Sequence, residues 1–207
     1  MDTRQVSRTA VETGEAGAFL DLLDPRPDGI EVLDIATALG RIPRFGGRGV
    51  RETCVATHLL LTAEIARYLG EGPQVQLHAL LHDAHEAYLG DLPTPLIRAM
   101  QSLSGVNAVG MIAERLDAAI YQRLGVSRPL QHEQERVAYA DHLALRAEAR
   151  CVLPSRGDWA GNPDDTDVMR FARHWNRLPQ GDVAGLCWLK GVLQLTGATA
   201  EKSLVSA

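Results

Sequence analysis

Apolar residues recur along this chain at spacings of three and four, one amphipathic segment after another, and no alternating run is long enough to mark a strand. An all-α fold is expected. Past the breaker cluster Asp24-Pro-Arg-Pro-Asp-Gly29, the residues Ile30, Leu33, Ile35, Ala36 and Leu39 share the face of a first core helix, which Gly40 should end. A second helix carries Val55, His58, Leu59, Thr62, Ile65, Ala66 and Leu69 up to Gly70. After a turn at Pro73, the residues Val75, Leu77, Ala79, Leu80, Leu81, Ala84 and Ala87 make a third helix, apolar on more than one side. That places it at the centre of the fold, running out at Gly90. Asp91-Leu-Pro93-Thr-Pro95 is a loop stiffened by two prolines. A long polar helix with Val109, Ile112, Leu116, Ala119, Ile120 and Leu124 follows, and another runs from Gln131 to Cys151. Beyond a loop from Pro154 to Asp167, Phe171, Trp175, Leu186, Trp188, Leu189 and Val192 mark two closing helices. The whole reads as one domain over residues 1–207, a compact multi-helix bundle with its core between about 30 and 153 and a frayed tail from Thr196 to Ala207.

Composition narrows the classes. A chain of 207 residues buries about 70% of its extended surface on folding, so it needs no metal or disulfide staple to hold a core. With 26 acidic against 21 basic side chains, a net charge of −5 and no Lys/Arg stripe, duplex nucleic acid is not the expected partner. No apolar run reaches the ~18 residues of a membrane span. The first stretch carries Asp2, Glu12, Glu15 and Asp21 and lacks the apolar segment of a secretory signal, so a cytoplasmic protein is expected. Cys54, Cys151 and Cys187 form an odd set without a CxxC pair and read as buried thiols.

The candidate chemistry lies in His82-Asp83, adjacent on an otherwise apolar helix, with His58 on the helix before and Asp141 on a later one. Burying such groups without partners would cost several kcal/mol, and a divalent cation removes most of that cost. Two imidazoles and two carboxylates leave two positions of an octahedron open for water and a substrate oxygen. Mixed nitrogen and oxygen donors suit Mn, Co, Fe, Ni or Zn better than Ca or Mg. Taken singly, each of these residues reads as a hydrogen-bonded core or surface group. The ordered set is what points to a metal.

His58, then His82-Asp83, then Asp141, each on its own helix, resembles the HD-domain metal-dependent phosphohydrolases, which are all-α. The stretch from Leu80 through His82, Asp83, Glu86 and Asp91 to Pro93-Thr-Pro95 resembles the subgroup containing bacterial 5′-deoxynucleotidases and phage-type deoxyadenosine triphosphohydrolases. Arg41-Ile-Pro-Arg44-Phe45 and Val55-Ala-Thr-His58 fit the same subgroup. The matching segments lie between about Ile30 and Arg150, somewhat over half the chain.

The resemblance implies hydrolysis of nucleotide phosphate esters, most directly deoxynucleoside 5′-monophosphates, by a homodimer. It gives Glu86 an orienting or general-base role and Asp91 a place beside the attacking water or leaving oxygen. Arg44 would hold phosphate oxygens, and Phe45 would pack on the sugar or base where family members usually have tryptophan. Phage-type relatives tend to carry a lysine two positions after the final proline. Here Ile97 stands there, followed by Arg98, which could substitute as a substrate contact. The alternatives are a deoxynucleoside triphosphohydrolase and a non-catalytic nucleotide-sensing module. A di-iron oxygenase ranks lower, since only His85 and His132 could supply the extra ligands.

Overall fold

The computed structural model describes residues 7–14 and 17–197. Of the tail expected from Thr196, Thr196 itself closes the last helix and the residues beyond Gly197 lie outside the described ones, as do residues 1–6, 15 and 16. Apart from one hairpin, β1 (Ala10–Thr13) antiparallel to β2 (Ala18–Asp21), the regular structure is helical. The chain is an all-α multi-helix bundle. The hairpin departs from expectation because its strands are four residues each and bury only Thr13 and Leu20, too little for an alternating pattern to register.

The helices are α1 (Val32–Arg41), α2 (Val55–Tyr68), α3 (Pro73–Leu81), α4 (Glu86–Leu89), α5 (Thr94–Ser104), α6 (Ala108–Leu124), α7 (Gln131–Val152), α8 (Thr166–Trp175) and α9 (Gly181–Thr196). Helix α2 is the hub, packing on α1, α3, α7, α8 and α9. Two apolar clusters meet along it. One gathers Val55, Ala56 and Leu59 with α1, α6 and Trp188 of α9, and the other gathers Leu61, Ile65 and Ala66 with α7, Phe171 and Trp175. Trp188 also donates its indole N–H to the Leu80 carbonyl at 2.6 Å, which locks α9 to α3. From Leu77 to Leu81 every residue of α3 is buried, in keeping with its expected central place.

Several expectations are corrected. Gly40 lies inside α1 and does not end it. A Cβ on Gly40 would stand 2.7 Å from the Gly181 carbonyl oxygen, and one on Gly185 only 2.2 Å from that of Ala36. The two glycines therefore let α1 and α9 approach backbone to backbone. The stop comes after Arg41, where Ile42 turns extended ahead of Pro43, as a residue before proline prefers. Leu33 is 54% exposed, because the buried face is set by Val32, Ile35, Ala36 and Leu39. Leu186 is likewise exposed.

The third helix does not run on to Gly90. It ends at Leu81, and the amides of Ala84, Glu86, Ala87 and Tyr88 bond carbonyls three residues back, a tighter winding than α. The expected loop holds to Pro93, after which Thr94 opens α5 with Pro95 in its first turn, where a missing N–H costs nothing. Helix α5 buries none of its residues, leaving Leu96, Met100 and Leu103 exposed. Of the three thiols only Cys54 is buried; Cys187 is exposed because the inward face of α9 is set by Ala184, Gly185, Trp188 and Val192. No helix among the described residues is long and apolar enough to cross a membrane.

Candidate metal centre

His58 sits mid-way along the first turns of α2 with no exposed surface, and His82 and Asp83 follow the end of α3, where the chain tightens. Asp141 comes from the middle of α7. The junction of α2, α3 and α7 brings them together. From His58, Nε2 lies 3.0 Å from Asp141 Oδ1 and 3.8 Å from Asp83 Oδ2. From His82, Nε2 lies 3.3 Å from Asp83 Oδ2 and 3.7 Å from Asp141 Oδ1. The two imidazole centres are 5.4 Å apart. His58, His82 and Asp83 form a group whose ligand atoms all lie within 4.8 Å of one another, and Asp141 reaches both imidazoles but falls outside that mutual group.

Each ring is oriented through its other nitrogen. His82 Nδ1 donates to the Ala79 carbonyl at 2.9 Å, and His58 Nδ1 faces Glu148 Oε2 at 2.9 Å. In the neutral rings both contacts favour the Nδ1–H tautomer, which leaves the Nε2 lone pair free for a cation. Neither Nε2 makes a hydrogen bond of good geometry despite being buried.

Glu148 is the functional residue that the sequence reading missed. It is fully buried, and a single oxygen, Oε2, faces His58 Nδ1 at 2.9 Å and accepts from Arg44 Nε at 3.1 Å, while Oε1 has no partner. It stands two helical turns after Asp141 on α7, in a buried face otherwise made of Val137, Ala140, Leu143, Ala144, Ala147, Ala149 and Val152. A carboxylate on that face was the available signal. Arg44 is itself buried, with Nη1 3.9 Å from Asp91 Oδ1. Burial works against its charge, but Glu148 and Asp91 outweigh that and hold the guanidinium firmly protonated. Asp91 also accepts from the Phe45 amide at 3.0 Å. This matters because Phe45 adopts φ 56° and ψ 27°, a left-handed conformation that a side-chain-bearing residue rarely takes.

Glu86 opens α4 and leaves one buried carboxylate oxygen without a partner. Burial first, then the charge on Asp83, push its carboxyl up to about 9. It therefore stays protonated at neutral pH while no cation is present. Burial opposes ionisation of Asp83 and Asp141, yet the two imidazoles more than offset it and draw both well below the usual carboxylate range. His58 and His82 are raised in turn: burial opposes them, and the surrounding carboxylates prevail. His85 turns aside, its Nδ1 3.0 Å from Asp117 Oδ1. Arg98 is exposed on α5 and, among the described residues, makes no contact with this network.

No protein-family model matches the chain. It is 39% identical over 142 residues to an uncharacterized protein of Rhodobacter capsulatus, RCAP_rcc00048, spanning 66% of this chain and 70% of that one. The chain belongs to that protein's family. Uncharacterized protein YfdR of Escherichia coli K12 is 33% identical over 124 residues, 59% of this chain and 61% of its own length. Kinship with uncharacterized proteins establishes descent and leaves the chemistry to be read from the site.

The donor atoms of His58, His82 and Asp83 are spaced as a divalent cation would require. Bonds of about 2.1 Å place neighbouring ligand atoms about 3.0 Å apart in an octahedron and about 3.4 Å apart in a tetrahedron. The nitrogen-to-oxygen separations of 3.0–3.8 Å bracket those edges. Two aspartates need two positive charges, which either protonated imidazoles or one divalent ion can supply. The lone-pair orientation imposed by Ala79 and Glu148 suits the ion.

Proposed function

We propose that this chain is a metal-dependent phosphohydrolase of the HD-domain kind, acting in the cytoplasm on nucleotide phosphate esters, deoxynucleoside 5′-monophosphates first. The observation that carries the reading is the grouping of His58, His82 and Asp83, with Asp141 reaching both imidazoles and both Nε2 atoms buried and unbonded. A divalent ion held by these four would acidify a water and draw charge from a phosphoryl oxygen. The overall change is ester plus water to nucleoside plus phosphate. Glu86, whose buried Oε2 has no other partner, would take or return the proton of that water. Asp91 keeps the Phe45 turn in its left-handed form, so the ring stays beside Arg44 for packing on the sugar.

Monophosphates lead because Glu148 and Asp91 already share the Arg44 guanidinium. Few cations remain for a triphosphate tail. The homodimer implied by resemblance belongs to the same proposal, and sedimentation of the full chain tests it.

Metal analysis followed by a phosphate-release screen of nucleoside mono- and triphosphates, with Mn, Co, Ni and Zn in turn, tests the function. Release from deoxynucleoside monophosphates, preferred over ribonucleotides by roughly 5- to 150-fold, is the expected result, because an unpaired 2′-hydroxyl against a ring is costly. Absence of release with every metal overturns the function and leaves the metal centre standing. Absence of any bound metal overturns both.

A further inference from the structure

Among the described residues, helix α5 packs extensively on no other element. It buries none of its 11 residues, and within it only Ile97 is part-buried. Leu96, Met100 and Leu103, spaced by four and then three, share one face, which helical geometry turns roughly a quarter-turn away from Ile97. All three are exposed, Leu103 to 91%. Past the turn at Gly105, Val106 and Met111 at the start of α6 are exposed as well. Isolated helices shorter than about 12–15 residues are marginal in water, and most helical stability comes from packing an apolar face. Within the protomer α5 lacks that packing.

We propose that the face formed by Leu96, Met100 and Leu103, with Val106 and Met111 beside it, docks a second copy of this chain, α5 against α5 about a two-fold axis. The inference gives the homodimer proposed above its surface and rests on that part of the reading. Together the five side chains leave roughly 500 Å² of apolar surface open, at the upper end for a monomer. A stable homodimer buries about 800 Å² on each partner, about 65% of it apolar, so one such face is what the pairing requires. The i, i+4, i+7 spacing suits packing of one apolar seam on another. Charge also favours like with like. Arg98 is the single charged residue of α5 and stands on the side of the helix opposite the seam, so two copies meet without bringing cations face to face. On α6, Glu114 pairs with Arg128, and Arg115 donates to the Leu23 carbonyl. A membrane surface fits less well, because an interfacial helix draws on several Lys or Arg along its polar face and α5 has one. The exposed Leu33, Val183 and Leu186 of α1 and α9 make a smaller set, beside the Arg41–Asp182 ion pair.

Sedimentation of the full chain across a micromolar concentration range tests the surface, with folding of each variant checked by circular dichroism. A dimer is expected. Leu103→Glu, which sets like charges into the seam, should weaken it roughly 30-fold or more, the worth of a central interface side chain. Leu103→Ser, which adds no charge, should weaken it in the same direction, and Leu186→Glu on the exposed face of α9 should leave it unchanged. A chain that stays monomeric throughout overturns the proposal. So does a dimer that Leu186→Glu breaks and both Leu103 variants leave intact, and so does a monomer that sediments only with phosphatidylserine vesicles. Phosphate release is read on the same wild-type samples. A dimer without release overturns the hydrolase and leaves the surface standing, and release by a monomer does the reverse.

Discussion

Glu148 has no exposed surface, yet it joins the His58 imidazole to a buried guanidinium. A carboxylate on the far nitrogen of a ligating imidazole sets its tautomer and basicity, and its loss commonly costs about 10–100-fold in metal affinity. Glu148→Gln is therefore expected to weaken metal binding by that factor in calorimetric titration. Glu148→Ala strands the Arg44 charge in the interior, so destabilisation of roughly 3–5 kcal/mol in urea unfolding should accompany it. An unchanged metal affinity in Glu148→Gln would reduce the residue to a packing role. Glu86 makes the complementary case. Glu86→Ala should retain the metal while turnover falls about 10²–10⁴-fold, the worth of a positioned acid or base; equal turnover with confirmed metal content would return it to a structural role.

Among the elements, α1 and α9 depend on two residues without side chains. Because a Cβ on Gly185 would meet the backbone oxygen of Ala36 at 2.2 Å, no rotamer change can relieve it and the helices must part. Gly185→Ala should cost about 1–3 kcal/mol or more in denaturant unfolding, the range for overpacking. Helix α5 sits at the other extreme. Leu103 is 91% exposed and the helix buries nothing, so at dilutions where protomers are apart Leu103→Ser should change the stability of the chain by no more than about 0.5 kcal/mol. A larger loss there would mean that α5 packs within its own protomer.

The whole molecule should register the proposed metal through pH. Without a cation, Glu86 is held up at about 9 against an ordinary 4.5, so between those values the folded chain keeps a proton that the unfolded chain releases. More protons on the folded state make stability fall as pH rises. His58 and His82 act in the same sense: raised above 6.5, they contribute stability below that value and lose it as pH climbs through their folded values. Asp83 and Asp141, lowered from 3.8, contribute above that value and lose it only in stronger acid. Chelator-treated protein is thus expected to melt lower at about pH 8.5 than at about pH 6. Metal binding demands deprotonated ligands, so the rise in melting temperature on adding Mn²⁺ should be larger at the higher pH. At a hundredfold excess over Kd the gain is about 2.7 kcal/mol. Equal metal-induced shifts at the two pH values would count against the assigned ligands.

Sequence alone determined the helical class, the central apolar helices and the order His58, His82-Asp83, Asp141, because period and residue type are local properties that burial leaves in the pattern. It also set Trp175 and Trp188 in the core, where both are found. What the tertiary structure decided are the features made by contacts between distant segments. Gly40 reads locally as a helix stop, and only α9 lying against it shows why it is a glycine within a helix. The break after Leu81 carries no proline or glycine to announce it. The position of Glu148 on the apolar face of its helix marks it as unusual, but its partners on α2 and the Arg44 turn lie 90 and 104 residues away. Partners at such separations are set by packing, and no periodicity along the chain encodes them.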